Sequence, residues 1–123
     1  MGRKVLVIED HAPTVELMRL VLRAGGYEVA FALDGPLGLQ KAVAEQPDLI
    51  LLDVMMPELD GFEVCRRLKA DPRTSQIPII MVSVKASPEN FQLAEQAGAC
   101  LYVTKPFDNQ KLLDLLLQKL AQA

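Results

Sequence analysis

The chain has 123 residues, of which 50% are hydrophobic and 24% are charged. This balance is typical of one globular domain and excludes a disordered tail or a fibre. Basic residues number 13 and acidic residues 16, for a net charge of −3, so the chain lacks the basic excess of a nucleic-acid-binding protein. No apolar run approaches the ~18–20 residues of a membrane span, and the start does not resemble a signal peptide. We therefore expect a single domain over residues 1–123, in the cytoplasm, without membrane or direct nucleic-acid contacts.

Five short apolar runs alternate with longer amphipathic stretches along the chain. The runs cover residues 5–8, 27–31, 49–52, 79–82 and 101–103. Each run is rich in branched side chains and is flanked by Gly, Pro or polar residues. Period-2 alternation is mostly missing, which is typical of strands that are buried on both faces of a sheet.

The stretches between these runs carry helix signals. The second predicted helix ends near Gln46, and Asp60 can begin the third, with Glu63 completing a capping box. Ser87 and Asp108 are the predicted N-caps of the fourth and fifth helices. The glycines expected to end helices in a left-handed conformation are Gly25, Gly26 and Gly98.

Strand and helix therefore alternate five times, which predicts an α/β fold with helices on both faces of a parallel sheet. Five units suit an open doubly wound sheet better than a closed barrel, which needs eight. Ligands of such sheets bind at the carboxyl ends of the strands. We therefore expect the functional residues to follow the strands directly.

Polar residues stand at the ends of four of the five predicted strands. In chain order they are Glu9 with Asp10, Asp53, Ser83 and Lys105. Carboxylates held close together raise one another's pKa unless a cation intervenes, and Mg²⁺ is the metal that best matches such oxygen ligands. A carboxylate nucleophile beside Mg²⁺, a lysine and a hydroxyl predicts a phosphoryl-transfer site. A single Asp after a strand is usually a helix cap or turn residue, so the prediction depends on the combination.

Four segments, in order, resemble the receiver domain of two-component response regulators, which has the chemotaxis-type fold. Residues 5–10 resemble its first strand and acidic pair, and residues 49–61 its phosphorylation segment. Residues 78–83 resemble its fourth strand and hydroxyl residue, and residues 102–107 its lysine–proline segment. The resemblance covers essentially the whole chain and implies a (βα)5 sheet with the flavodoxin-like strand order 2-1-3-4-5.

The resemblance also implies the chemistry of this edge. Asp53 would be the phosphoacceptor. Mg²⁺ would be held by Asp53, Asp10, the backbone carbonyl of Met55 and, partly through water, Glu9. The chain would then catalyse its own phosphorylation and slow autodephosphorylation, without being a metabolic enzyme.

The resemblance also implies which residues respond to the phosphoryl group. Lys105 would pair with the phosphoryl group, and the Lys105–Pro106 bond would be cis, as X-Pro bonds permit. Ser83 would move toward the phosphoryl group, and Tyr102 would swing into the space that Ser83 leaves. Val84 stands where the family commonly has Ala or another small residue. We expect this branched side chain to hinder the attacking water and to slow autodephosphorylation.

The implied partners are proteins. The phosphoryl donor would be a sensor histidine kinase or a histidine phosphotransfer protein. The signal would leave through the face formed by the fourth helix, fifth strand and fifth helix, toward a downstream protein or an output domain, and a homodimer through this face is also implied. The sequence leaves open whether the chain acts alone or as part of a longer protein.

Three alternatives compete with this interpretation. A haloacid-dehalogenase-like phosphatase needs a second Asp two residues after the nucleophile, where this chain has Met55. A flavin carrier needs a phosphate-cradling loop after the first strand, where this chain has Glu9 and Asp10. A receiver-like interaction module that does not use phosphate remains open, although the complete set of site residues argues against it.

Two further features concern surfaces and thiols. Cys65 and Cys100 lack a partner at metal-ligand spacing and are expected to be reduced, packed thiols. In the last helix Leu115 points away from the core-facing stripe and Leu117 lies near its margin. These leucines indicate either a surface that binds a partner or a helix that is simply rich in apolar residues. The residues of the stripe itself are Leu112, Leu113, Leu116 and Leu120.

Overall fold

The computed structural model describes residues 3–56, 59–84 and 87–122. Residues 57–58 of the phosphorylation-like segment lie outside these ranges. Strands and helices alternate without exception along the described chain. They are β1 (Lys4–Ile8), α1 (Ala12–Ala24), β2 (Glu28–Ala32), α2 (Gly35–Glu45), β3 (Leu49–Asp53), α3 (Gly61–Ala70), β4 (Ile79–Ser83), α4 (Pro88–Ala97), β5 (Leu101–Thr104) and α5 (Asn109–Gln122).

The five strands form one parallel sheet in the order β2-β1-β3-β4-β5, which confirms the predicted fold and strand order. Every residue of β3 and β4 is buried, as their continuous apolar sequences predict. The register pairs Ile8 with Leu52 and Ser83 with Thr104. The carboxyl ends of the strands therefore lie level at one edge of the sheet.

Successive strand residues point to opposite faces of the sheet and belong to two hydrophobic clusters, one on each face. The first cluster, below α3 and α4, includes Ile8, Leu52, Met81, Val64 and Ala94. The second cluster, below α1 and α5, includes Val7, Leu51, Val82, Met18 and Leu116. Because both faces are covered, the sheet is the rigid frame that fixes the positions of the strand ends.

Helix boundaries follow local hydrogen bonding. The predicted N-caps are confirmed: the Asp60 carboxylate accepts from the Glu63 N–H, Ser87 Oγ from the Asn90 N–H, and Asp108 from the first N–H groups of α5. The predicted capping box is wrong in its second half. The Glu63 carboxylate accepts hydrogen bonds from the guanidinium groups of Arg66 and Arg67, one turn further along α3.

Left-handed residues end three helices. Gly26 has φ +90° after α1 and Gly98 has φ +99° after α4, as predicted, whereas Gly25 is right-handed. The non-glycine Gln46 ends α2 with φ 47°, and its side-chain amide donates to carbonyls at the helix end and to the Arg73 carbonyl. These side-chain bonds compensate for the strain of a left-handed glutamine.

Gly61 allows α3 to begin directly against the end of β3. A Cβ atom at this position would lie 2.3 Å from the Asp53 carbonyl oxygen and 2.8 Å from the Val54 Cα. The Gly61 N–H donates to the Val54 carbonyl at 2.9 Å. The glycine is therefore required by close backbone approach beside Asp53.

Two lysines bind backbone carbonyls. Lys41 Nζ donates to the Phe31 carbonyl on edge strand β2, and Lys69 Nζ donates to the carbonyls of Ser75 and Ile77 in the connection before β4. The first bond covers a polar group at the open edge of the sheet. The second joins the end of α3 to the segment that enters β4.

The surface of α5 differs from expectation at one residue. Leu112, Leu116 and Leu120 are buried and Leu115 is half-buried, but Leu117 is 65% exposed rather than marginal. Cys65 is buried as predicted, whereas Cys100 is exposed, so the expectation of a packed thiol is wrong there. Among the helices of the described residues, none combines the length and apolar character that a bilayer crossing requires.

Candidate functional site

Three carboxylates meet at the carboxyl edge of the sheet. Glu9 follows β1 and is 2% exposed, Asp53 ends β3 and is 7% exposed, and Asp10 is exposed to solvent. One carboxylate oxygen from each of the three lies within 4.8 Å of the others. Asp10 does not cap α1, because the N-cap position is taken by His11. The structure therefore brings together the acidic residues that the sequence singled out.

Lys105 is the cation of this cluster. Its Nζ lies 2.7 Å from Glu9 Oε1 and 3.8 Å from Asp53 Oδ1, with only 16% of the side chain exposed. The Lys105 N–H donates to the Ser83 carbonyl at 2.7 Å, which joins the ends of β4 and β5. The Lys105–Pro106 peptide bond is cis. The ammonium group is therefore hydrogen-bonded to Glu9 and lies close to Asp53, beyond hydrogen-bonding distance.

The electrostatic environment of Asp53 opposes its ionisation. Burial, followed by the negative charge of Glu9, raises the pKa of Asp53 from 3.8 to about 7, while Lys105 and the backbone N–H of Met55 act in the opposite direction. Two carboxylates share one lysine here, so the cluster carries more negative charge than the protein neutralises. A second cation would relieve this excess.

The chemistry of the donor set fits a hard divalent cation. The group comprises three carboxylates without sulfur or imidazole ligands among them. Mg²⁺ binds few carboxylates and keeps waters and phosphate oxygens in its shell, whereas a Ca²⁺ site supplies six to eight oxygens. The exposed Asp10 beside two buried carboxylates leaves room for such waters. Mg²⁺ is therefore the metal that these residues match.

The carboxylates line an open cleft of about 450 Å³. At its mouth Met55 is 48% and Val84 66% exposed. His11 and Thr14 also line the cleft. The His11 N–H donates to Glu9 Oε2 at 3.1 Å, and His11 Nδ1 lies 2.8 Å from Thr14 Oγ1. In the sequence, the three-residue spacing of His11 and Thr14 at the start of α1 is the feature that could have indicated this contact.

Ser83 and Tyr102 lie on the α4 side of the site. Ser83 is fully buried at the end of β4. The half-buried Tyr102 pairs in register with Met81, two residues before Ser83, and packs on the first hydrophobic cluster. The Tyr102 ring also contacts Phe91 of α4 edge to face, with ring centroids 4.8 Å apart. Sequence reasoning did not identify Phe91.

The parallel sheet with its acidic carboxyl edge defines a flavodoxin-type α/β protein with an acidic cleft. Residues 5–117 match the family model described as "Response regulator receiver domain". The chain belongs to this family. Membership in it sets aside the phosphatase and flavin-carrier alternatives.

Curated relatives share this region. Response regulator PleD of Caulobacter vibrioides is 42% identical over 112 residues, which cover 91% of this chain and 25% of the relative. The DNA-binding dual master transcriptional regulator RpaA of Synechocystis sp. is 41% identical over 110 residues, which cover 89% of this chain and 46% of the relative. The chain thus spans a quarter to just under half of the length of these relatives.

Solved structures share the fold. Chemotaxis protein CheY4 of Vibrio cholerae superposes with a TM-score of 0.91 at 33% identity, covering 96% of this chain and 98% of its own. The receiver domain of a sensor histidine kinase of Pseudomonas aeruginosa PAO1 has a TM-score of 0.92 at 29% identity, covering 98% of this chain and 99% of its own. That receiver was solved with a magnesium ion coordinated in the active site cleft.

Proposed function

We propose that this chain is a phosphorylation-activated signalling switch in which Asp53 accepts a phosphoryl group from a phosphohistidine of a sensor kinase or phosphotransfer protein. The observation that carries the proposal is the position of Asp53, at the end of β3 inside a cleft, with Lys105 Nζ 3.8 Å from its carboxylate. Residues 1–123 act as one receiver unit. The proposed donor places this unit in the cytoplasm.

Three side chains of the site each have a separate role in phosphoryl transfer. An Asp53 carboxylate oxygen forms the new P–O bond while the P–N bond to the donor imidazole breaks and the imidazole keeps the electron pair. Lys105 turns from Glu9 toward the transferred group and neutralises its equatorial oxygens. The buried Ser83 hydroxyl supplies a hydrogen bond to the same group.

Glu9, Asp10, Asp53 and the Met55 carbonyl would hold Mg²⁺, Glu9 partly through water. The ion would supply positive charge to the phosphoryl oxygens. The raised pKa of Asp53 supports this assignment, because the chain alone leaves the cluster short of positive charge.

The signal leaves through α4, β5 and α5. Phosphorylation adds nearly two negative charges at the ends of β3–β5, and Ser83 and Lys105 gain a new partner. Tyr102 then changes position, which alters the surface that a downstream protein, an output domain or a second copy contacts. The relatives named as transcriptional and response regulators are longer than the matched region, which supports such an output.

Intact mass spectrometry after incubation with Mg²⁺ and acetyl phosphate tests the proposal. We expect a gain of one phosphoryl group that both Asp53→Asn and EDTA abolish. A folded, Mg²⁺-binding protein that gains nothing from acetyl phosphate or from a phosphohistidine donor protein would be a phosphate-independent interaction module instead.

A further inference from the structure

The aromatic contact between α4 and β5 has a geometry that restrains a single side chain. The Phe91 and Tyr102 rings meet at an interplanar angle of 88°, the edge-to-face arrangement that aromatic quadrupoles favour. Phe91 lies in the first turn of α4, where its N–H donates to the carbonyl of the N-cap Ser87. A contact of this kind shifts a two-state equilibrium by about two- to tenfold.

Phe91 makes this contact while its side chain remains partly exposed. It is a large apolar side chain that stays 43% exposed, so burial in the core does not account for its position. Phe91 lines an open pocket of about 230 Å³ between α4 and β5, together with Ala94, Ala99 and Tyr102. The two small alanine side chains leave the space beside the Tyr102 ring loosely filled. A movement of the Tyr102 ring therefore changes its contact with Phe91.

Tyr102 is connected to the site through β4. Residues two apart on a strand share a face, so Ser83 projects to the same side as Met81, which pairs with Tyr102. Lys105 Nζ lies 2.7 Å from Glu9 Oε1 and 3.8 Å from Asp53 Oδ1, so its hydrogen bond is to Glu9. This is the arrangement expected before phosphoryl transfer, and it coexists with the Phe91–Tyr102 contact.

We propose that Phe91 is a positioning residue that holds Tyr102 in its pre-transfer position and thereby sets the threshold of the switch. The inference rests on the proposed function and names a regulator of the same site. A contact present in only one of two arrangements stabilises that arrangement. By linkage it weakens the binding of ligands that favour the other arrangement. Removing the Phe91 ring therefore favours the post-transfer arrangement before any phosphoryl group is bound.

The test uses Mg²⁺ with beryllium trifluoride as the phosphoryl mimic. Phe91→Ala removes the ring, and Phe91→Leu keeps apolar bulk without a ring. Leu93→Ala is the matched control, because Leu93 lies on the same helix and is 40% exposed. Phe91→Tyr restores a ring at the same position. The first readout is the apparent Kd of the mimic, and Asp53→Asn gives the background.

The second readout is the NMR signal of fluorinated tyrosine. The chain has two tyrosines, so Tyr27 serves as an internal reference for Tyr102. We expect Phe91→Ala and Phe91→Leu to bind the mimic about two- to tenfold more tightly. Without the mimic, their Tyr102 signal should already lie part of the way toward the wild-type saturated position. Leu93→Ala and Phe91→Tyr should bind the mimic as the wild type does.

The outcomes separate the two claims. A wild-type response that Asp53→Asn abolishes, with Phe91→Ala unchanged or weaker in binding, overturns the role of Phe91 alone. The absence of any wild-type response overturns the proposed function, and the role of Phe91 with it.

Discussion

Lys105 and Glu9 form an ion pair across 96 residues of chain, with Nζ and Oε1 2.7 Å apart at the carboxyl edge of the sheet. The glutamate is almost fully buried, so this lysine is the group that makes its charge tolerable in the folded protein. The same lysine is assigned to the phosphoryl group. Before transfer it therefore has a structural partner, which it must release in order to act.

Replacing Lys105 with Met should lower the free energy of unfolding of the metal-free protein by about 3 kcal/mol at pH 7, because a buried carboxylate loses its partner. Urea unfolding measures the difference. Adding Glu9→Gln to Lys105→Met should restore most of the loss. A single variant within ~0.5 kcal/mol of wild type would show that the pair contributes little.

The raised pKa of Asp53 gives a pH dependence with a definite sign. The folded carboxyl holds its proton up to a pKa of about 7, but the unfolded one only to 3.8. Between about pH 4 and pH 7 the unfolded carboxyl ionises while the folded one stays protonated, so the folded state loses stability as the pH rises. Above about pH 7 both are ionised, and the full loss persists.

Asp53→Asn should accordingly stabilise the metal-free protein by on the order of 3 kcal/mol at pH 8, and far less at pH 4. Thermal or urea unfolding in EDTA across this range measures the gain, and Mg²⁺ should reduce it. A gain that is independent of pH would contradict the assignment.

Val84 should control the lifetime of the phosphorylated state. Val84 is 66% exposed and lines the cleft, where we expect its branched side chain to hinder an attacking water. Val84→Ala should speed autodephosphorylation about fivefold, equivalent to ~1 kcal/mol in the barrier. The loss of phosphate is followed by intact mass. Leu20→Ala, at an exposed apolar site on α1, is the control and should not change the rate.

Gly61→Ala should disturb both stability and phosphorylation. Its Cβ would lie 2.3 Å from the Asp53 carbonyl oxygen, so the end of β3 or the start of α3 must shift. We expect a loss of about 2 kcal/mol in unfolding free energy. Slower phosphorylation from acetyl phosphate should accompany it. Gln40→Ala, at an exposed site on α2, is the stability control, and a Gly61→Ala variant as stable as that control would contradict the predicted clash.

The sequence predicts the location of the site because parallel strands place their carboxyl ends at one edge. Glu9, Asp53 and Lys105 each stand at or just after such an end, so strand order and register bring them together. Their assigned roles come from the family resemblance and remain proposals. Residues whose importance depends on tertiary approach carry no comparable signal.

Three residues illustrate this limit. In the sequence Gly61 looks like any glycine at the start of a helix. The structure shows that a glycine is needed there because the Asp53 carbonyl leaves no space for a Cβ atom. Phe91 carries no sequence signal of its own, yet it is partly exposed and contacts the Tyr102 ring edge to face. Glu63 has the right spacing for a capping box, yet two neighbouring arginines compete for its carboxylate. In each case a long-range or competing contact decides the outcome.

The bond from Lys41 to the Phe31 carbonyl has a consequence for how the molecule behaves in a crowded cell. The neighbouring Ala32 carbonyl accepts from the Glu9 N–H of the sheet, so the Phe31 carbonyl points outward from the free edge of β2. An unguarded edge of this kind recruits strands from other chains. By placing an ammonium group there, the protein limits growth of its sheet at the edge opposite β5. The free edge of β2 is thereby protected from pairing with strands of other copies.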